Sequence, residues 1–178
     1  TQHDYERSIT EITVCTSDQH GVFSLLAGAM ALAGANITGA KIFTLRNGLI
    51  VDMFQVQDAA GEPFDHPGKL ARMSVYIEQA LSGEMDLAQA FEDYKKEYAF
   101  AQKHSPIPGQ VFIENNVSNV CNVIEINSYD RVGFLYEVTK TIAEQGLSVV
   151  TARISTYGVQ VADVFYVKDN FGMKITHE

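Results

Sequence analysis

Two aspartate-to-glycine turns carry the clearest chemistry in this 178-residue sequence. Asp18 precedes Gly21 by three residues, and Asp130 precedes Gly133 by the same spacing, each between a β-branched stretch and a helical pattern. Such a strand-to-helix turn brings backbone N–H groups and the positive end of a helix dipole to one point, which attracts a carboxylate or phosphate. The aspartate could accept hydrogen bonds from an ammonium group, so the turn suits a zwitterion such as a free amino acid. Helix capping by the aspartate is the simpler alternative.

Three further polar residues belong to the same region of the predicted fold. Asn36 begins the strand that follows the first helix and could present its side-chain amide to the turn, and Ser148 is its equivalent in the second copy. Ordinary turn chemistry is the alternative for Asn36, since Asn is common just past a helix end. His20 lies inside the first turn and is a candidate pH-sensitive neighbour of a ligand.

No catalytic constellation accompanies the turns. The sequence has no Gly-x-Ser-x-Gly, no phosphate loop ending in Gly-Lys-Ser/Thr, no His-Glu-x-x-His and no Cys-x-x-Cys. A small enzyme is therefore the least favoured function, and no metal or other cofactor is expected in this chain. Asp52 and Asp163 occupy matched positions on predicted strands, where we expect them at a sheet edge or facing solvent.

An internal repeat relates the two turns. A shift of 112 positions superposes one turn on the other, and a shift of 111 aligns Asp52 with Asp163. Self-similarity at a fixed offset indicates one structural unit used twice. Because each unit alone can bury only a small core, the units are expected to pair within the chain or in a homodimer.

Hydrophobic periodicity predicts the order strand, helix, strand, strand in both units. The predicted elements of the first unit are strand 9–16, helix 21–34, strands 36–46 and 49–58 around an Asn47-Gly48 hairpin, a helix ending at 82–83, and a helix near 86–103 capped by Asp86. The predicted elements of the second unit are strand 123–127, helix 133–145 and strands 148–157 and 160–168.

These elements predict an α+β fold of tandem ferredoxin-like βαββαβ units, the second truncated. Residues 8–116 form the first unit, in which the helix near 86–103 is extra and strand 111–113 supplies the last strand. Residues 117–178 form the second unit, which lacks its closing helix and strand. A partner chain or further residues would have to cover its open sheet.

Composition excludes several classes of partner. The net charge of −9 disfavours a nucleic-acid backbone, and the apolar runs are too short for a membrane span. The absence of a signal peptide and the two unpatterned cysteines, Cys15 and Cys121, indicate a cytoplasmic protein with buried free thiols. Since the sequence starts at Thr1 without Met, we interpret it as a fragment whose first residues, with His3 and Asp4, form a tail.

The repeated turn and the helix-to-strand link Gly34-Ala35-Asn36-Ile37 resemble the ACT domain, a βαββαβ module. That resemblance implies amino-acid binding and regulation of an attached enzyme. Two units at this spacing, with Val111 to Asn116 leading into Asp130-Arg131-Val132-Gly133-Phe134-Leu135, are similar to the regulatory pair of the bifunctional uridylyltransferase/uridylyl-removing enzyme family. The chain departs from the family pattern at His20 and Val132, where proline is usual, and at Ser148 in place of asparagine.

Membership of that family implies a glutamine sensor that favours uridylyl removal over uridylyl transfer. The implied partners are upstream catalytic domains and the PII nitrogen-signalling protein, and a divalent metal such as magnesium would belong to those domains. Glutamine is expected at the first-unit turn, with its carboxylate on the Gly21 and Val22 amides and its ammonium near Asp18 or Asn36. A stand-alone ACT-repeat interaction module without a ligand is the alternative. The implied ligand-binding set is Asp18, His20, Gly21, Val22, Phe23, Asn36, Ile37, Asp130, Gly133, Phe134, Leu135 and Ser148.

Overall fold

The computed structural model describes residues 1–17, 19–45, 48–97, 109–157 and 160–176. The strands are β1 (Gln2–Asp4), β2 (Ile9–Ser17), β3 (Asn36–Thr44), β4 (Leu49–Gln57), β5 (Gln110–Glu114), β6 (Asn122–Tyr129), β7 (Leu147–Arg153), β8 (Thr156–Tyr157) and β9 (Gln160–Asp169). The helices are α1 (Val22–Leu32), α2 (Pro67–Ser82), α3 (Leu87–Glu97) and α4 (Phe134–Glu144). The predicted α+β class and the order of the shared elements are confirmed, whereas the Asn47 side of the hairpin and residues 98–108 lie outside the described residues.

All strands form one antiparallel sheet in the order β1-β2-β4-β3-β7-β9-β6-β5, with β8 paired to β9. The first four strands in this order constitute the first unit, and the last four constitute the second. The second unit therefore runs in the reverse spatial order of the first, as expected for two repeats related by a two-fold axis.

The two units join through a short pairing of β3 with β7. Ala40 pairs with Ala152, and these residues are equivalent in the repeat. Lys41 pairs with Thr151 and Gly39 with Arg153, so exchanging the units reproduces the same pairs. The contact is thus isologous, and each unit uses the same strand to cover the other unit's sheet edge.

Both outer edges of the sheet differ from prediction. Strand β5 does not complete the first unit, because it pairs with β6 from Gln110 opposite Asn127 to Glu114 opposite Val123. The corresponding edge of the first unit is occupied by β1, in which His3 and Asp4 form a strand instead of a tail. The connection from β5 to β6 is short, and consecutive strands usually lie side by side. The second unit therefore receives its fourth strand from the segment before it.

The helices cover one face of the sheet, and α1 packs against both α2 and α4. Gly28 makes the contact with α4 possible, since a Cβ atom there would lie 2.9 Å from Tyr136 Cδ2. Helix α3 lies across the same junction, where Phe91 stacks on Tyr136 with 4.9 Å between ring centroids. A single core continues through both units, with Phe54 and Phe165 fully buried at equivalent strand positions.

One apolar surface of the second unit stays uncovered by the described part of the chain. Val111 and Ile113 are 60% and 65% exposed. They lie opposite Ile126 and Ile124, which pack against the core, so all four project from the helix side of the sheet. Cys15 is also exposed, contrary to prediction, while Cys121 is buried; both thiols are free. None of the helices in the described ranges is long and apolar enough to cross a membrane.

Gly28→Val should weaken the junction between the units. The new side chain would overlap Tyr136 and Leu87, whose nearest atoms lie 2.9 and 3.0 Å from a Cβ at this position. Overpacking of this kind typically costs about 1–3 kcal/mol. Urea unfolding is the measurement, and Ala71→Val on the exposed side of α2 is the control for placing a valine in a helix without overpacking; helix propensity alone would favour Gly28→Val, because valine is a better helix former than glycine. Equal stability of the two variants would contradict this description of the junction.

Candidate functional site

Two of the cavities that the described residues form between the units are equivalent under the repeat. The large cavity, of about 700 Å³, contains the Asp130 to Gly133 turn together with Asn36. The small cavity, of about 120 Å³, contains the His20 to Phe23 turn together with Ser148. Each cavity therefore combines the turn of one unit with the helix end and second strand of the other. Asp18 lies outside the described residues.

The sequence grouped Asn36 with the first-unit turn, and the structure corrects that grouping. Asn36 and Ile37 line the large cavity opposite Gly133, Phe134 and Leu135. Ser148 lines the small cavity with Gly21, Val22 and Phe23. The physical reason is the isologous β3–β7 pairing, which carries the start of each second strand over to the other unit's turn.

Glycine at the start of α4 is required by backbone geometry and by packing. Gly133 has φ 82° and caps α4 with no side-chain hydrogen bond, as Gly21 with φ 77° does for α1. Asp130 is therefore not the capping residue, and the simpler alternative from the sequence is wrong for the second turn. A Cβ atom at Gly133 would also lie 2.6 Å from Phe91 Cε1 in α3.

The two turns use their backbone donors in the same way. In the second turn, Phe134 N–H donates to Arg131 O at 3.0 Å, whereas the N–H groups of Gly133 and Leu135 have no acceptor among the described residues. In the first turn, the equivalent Val22 N–H donates to the equivalent Gln19 O at 3.1 Å. The start of α4 thus offers two amide donors and a helix dipole to an anion in the large cavity.

A buried aspartate lies in the wall of each cavity. Asp163 lines the large cavity and is 1% exposed, and Asp52 lines the small cavity and is fully buried. The expectation of a sheet-edge or solvent-facing location was wrong, because both residues alternate in phase with the buried Phe165 and Phe54 of β9 and β4. Strand alternation in the sequence already contained this signal.

Electrostatics in the large cavity favour a positively charged guest. The pKa of Asp163 is raised to about 6, mainly by burial and also by the negative charge of Asp130. A backbone hydrogen bond from Ser155 N–H at 3.2 Å acts in the opposite direction and lowers this pKa. Burial also raises the pKa of Asp130, while the backbone N–H and the charge of Arg131 lower it. Two carboxyl groups that oppose each other's ionisation therefore share this wall.

The basic residues of the large cavity already have oxygen partners. Arg131 pairs with Glu137 and has its guanidinium 5.0 Å from the centre of the Phe134 ring. Arg72 in α2 donates from Nη2 to Ala33 O at 2.7 Å. Neither arginine is thus a dedicated partner of Asp163.

The different cavity sizes follow from substitutions between equivalent positions. Leu147 in the small cavity stands where the large cavity has Ala35, and Thr139 stands where it has Ala27. His20 replaces Val132 and its Nε2 lies 2.7 Å from Ala143 O, which joins the first turn to α4. Larger side chains and this hydrogen bond fill the small cavity, so His20 has a structural role in this structure.

Sequence reasoning missed the residues that two helices of the first unit contribute to the large cavity. Helices α2 and α3 contribute Arg72, Tyr76, Tyr94 and Glu97 to its wall. The repeat contains no information about them, because neither helix has a counterpart in the second unit. In the described ranges no cluster of three or more His, Cys, Asp or Glu side chains is arranged to hold a metal ion.

Asp163→Asn should stabilise the protein at neutral pH. The pKa of Asp163 is about 6 in the folded protein, against an ordinary value of 3.8 for an aspartate, so ionisation favours the unfolded state. Stability from this group is present at low pH and is lost as pH rises toward and past 6. We expect a gain of about 1–3 kcal/mol near pH 7.5 that shrinks toward pH 4. Urea unfolding across this pH range is the measurement; a variant less stable than wild type near pH 7.5 would contradict the account.

Comparisons with known proteins agree with this architecture. The family described as "ACR family N-terminal ACT domain" matches residues 117–178. The bifunctional uridylyltransferase/uridylyl-removing enzyme of Azospirillum brasilense is 47% identical over 179 residues, covering 100% of this chain and 19% of the relative. The enzyme of the same name from Rhodospirillum rubrum is 42% identical over 174 residues, covering 98% of this chain and 19% of the relative.

The chain thus spans about a fifth of the length of these curated relatives, 19% in both cases. The similarity extends over both units and the helices between them. The chain therefore belongs to the ACT-domain segment of the bifunctional uridylyltransferase/uridylyl-removing enzyme family.

Proposed function

We propose that this chain is a regulatory module that senses a free amino acid, glutamine, in the large cavity. The observation that carries the proposal is the combination of two unused amide donors at the start of α4 with a buried carboxylate in the same cavity. Opposite partners at short range are what a zwitterion needs. The cavity volume of about 700 Å³ is within the range of small-molecule sites.

The proposal locates glutamine at the second-unit turn, whereas the sequence favoured the first. A volume of about 120 Å³ makes the small cavity a poor site. In the large cavity the glutamine carboxylate would lie on the Gly133 and Leu135 amides, and its ammonium would face Asp130 and Asp163. Asn36 would contact the ligand from the other unit.

Glutamine has a side-chain carboxamide that both donates and accepts hydrogen bonds. The wall formed by α2 and α3 contains a guanidinium donor, Arg72, and a carboxylate acceptor, Glu97. Tyr76 and Tyr94 in the same wall combine an apolar ring with a polar hydroxyl group. This mixture supports a polar, uncharged ligand side chain over a purely aliphatic one.

The regulatory part of the proposal extends to the parent enzyme. We infer that glutamine bound here favours uridylyl removal from the PII protein over uridylyl transfer, in the cytoplasm, through upstream catalytic domains. The names of the relatives support a uridylyltransferase and uridylyl-removing activity for the whole protein. Magnesium or another divalent metal would act in those domains and not in this segment.

Asn36→Ala should weaken glutamine binding while Ser148→Ala should not. The asparagine amide faces the large cavity, and loss of a hydrogen-bonded partner typically costs about 1–3 kcal/mol. Ser148 occupies the equivalent position in the small cavity and serves as the matched control. Isothermal titration calorimetry with the purified chain measures both affinities, after a thermal-shift screen of the standard amino acids has ranked glutamine against the others.

Two results would count against the proposed function. If no amino acid raises the melting temperature or produces heat, the chain is instead the ACT-repeat interaction module without a ligand. If glutamine binds and only Ser148→Ala weakens it, the ligand occupies the small cavity. Circular dichroism of both variants confirms that each is folded.

A further inference from the structure

We propose that Asp163 is the residue that holds the α-ammonium group of the amino acid in the large cavity. This inference rests on the proposed function and deepens it by naming the charged partner of the ligand. The sequence pointed instead to Asp18 or Asn36, on or beside the first turn. Nothing in the Asp-x-x-Gly pattern indicates a residue on the third strand of the second unit.

The geometry of the wall supports Asp163. Its side chain is 1% exposed, lies in the wall of the large cavity, and accepts one hydrogen bond, from Ser155 N–H to Oδ1 at 3.2 Å. A carboxylate can accept several hydrogen bonds, so an ammonium donor can still be accommodated. The unused Gly133 and Leu135 amides line the same cavity and would take the ligand carboxylate.

Asp130 is the other candidate, but its surroundings differ. The Arg131 backbone N–H and guanidinium act on Asp130, so that carboxylate already has a hydrogen-bond donor and a cation beside it. The charge that acts on Asp163 is that of Asp130, which has the same sign. A cation from the ligand would relieve this repulsion at Asp163, and both carboxylates would attract it.

The charged groups that face the site come from every surrounding element. Asp130 and Arg131 belong to the turn, and Arg131 is paired with Glu137 of α4. Helix α2 contributes Arg72, which is bonded to Ala33 O, and α3 contributes Glu97. Because Arg131 and Arg72 already have these other partners, the Asp163 carboxylate stays available to a cation from the ligand.

Glutamine affinity should therefore fall as pH drops through about 6, the pKa of Asp163 in the empty site. A protonated carboxyl group cannot form the charge-assisted pair with an ammonium group, so binding and proton release are linked. Asp130 titrates in the same cavity, which makes the difference between wild type and Asp163→Asn the informative quantity.

Calorimetry with glutamine and with glutaramate, which is glutamine without its α-amino group, tests the assignment. Wild type should bind glutamine roughly tenfold or more tightly than glutaramate, since charge-assisted hydrogen bonds are the strong ones. Asp163→Asn should lose most of this preference, with Asp130 retaining the rest, and should show a smaller fall in glutamine affinity near pH 6. The asparagine keeps an acceptor for Ser155 N–H, so the fold is preserved.

Asp52→Asn is the matched control, because it makes the same change at the equivalent position of the small cavity. Its preference for glutamine over glutaramate should equal that of wild type. Equal binding of both compounds by wild type, or a full preference for glutamine in folded Asp163→Asn, would overturn the assignment while leaving amino-acid sensing intact. If wild type binds neither compound nor any standard amino acid, the proposed function itself fails, and this inference with it.

Discussion

The isologous pairing of β3 with β7 is the constraint on which the rest of this structure depends. It comprises only three residue pairs, centred on Ala40 and Ala152, yet it joins the two units into a single sheet. It also brings α1 against α4, where Gly28 lets Tyr136 approach closely. Both cavities exist because this pairing sets each turn opposite the start of the other unit's second strand.

A site built from two units has a consequence for regulation. A ligand in the large cavity would contact the α4 turn of one unit and Asn36 of the other, so its affinity depends on their relative position. Any ligand that prefers one arrangement shifts the population toward it.

The repeat has kept the fold of the two units while making their cavities different. Leu147 stands where the large cavity has Ala35, and His20 stands where it has Val132. These larger side chains occlude the small cavity, whereas the large cavity stays open. The helices α2 and α3, which contribute to the wall of the large cavity, have no counterparts at the small one. Asymmetry between the sites is thus a property of side chains and connecting segments, since the strands and the Asp-x-x-Gly turn are shared.

Most of the secondary structure could be predicted from the sequence, because turn residues and periodicity are local. The helix ends at Gly34 and Gly83 are examples, both glycines having positive φ. The partner of β5 could not be predicted, since the apolar pattern of Val111 to Ile113 is compatible with an edge strand in either unit. The presence of Asn36 and the second turn in the wall of one cavity could not be predicted without knowing how the units pack. The burial of Asp163 could have been found, as it alternates in phase with Phe165 and Val167.

The central claim is that one binding site is formed jointly by both units at the second turn. Titration of ¹⁵N-labelled protein with glutamine, followed by heteronuclear NMR, tests it most directly. The account predicts that the largest amide shift changes cluster at Gly133 and Leu135 and at Asn36, which is far from them in sequence and lines the same cavity. Shift changes confined to Gly21, Val22 and Phe23 at the small cavity, or no change at saturating glutamine, would contradict it.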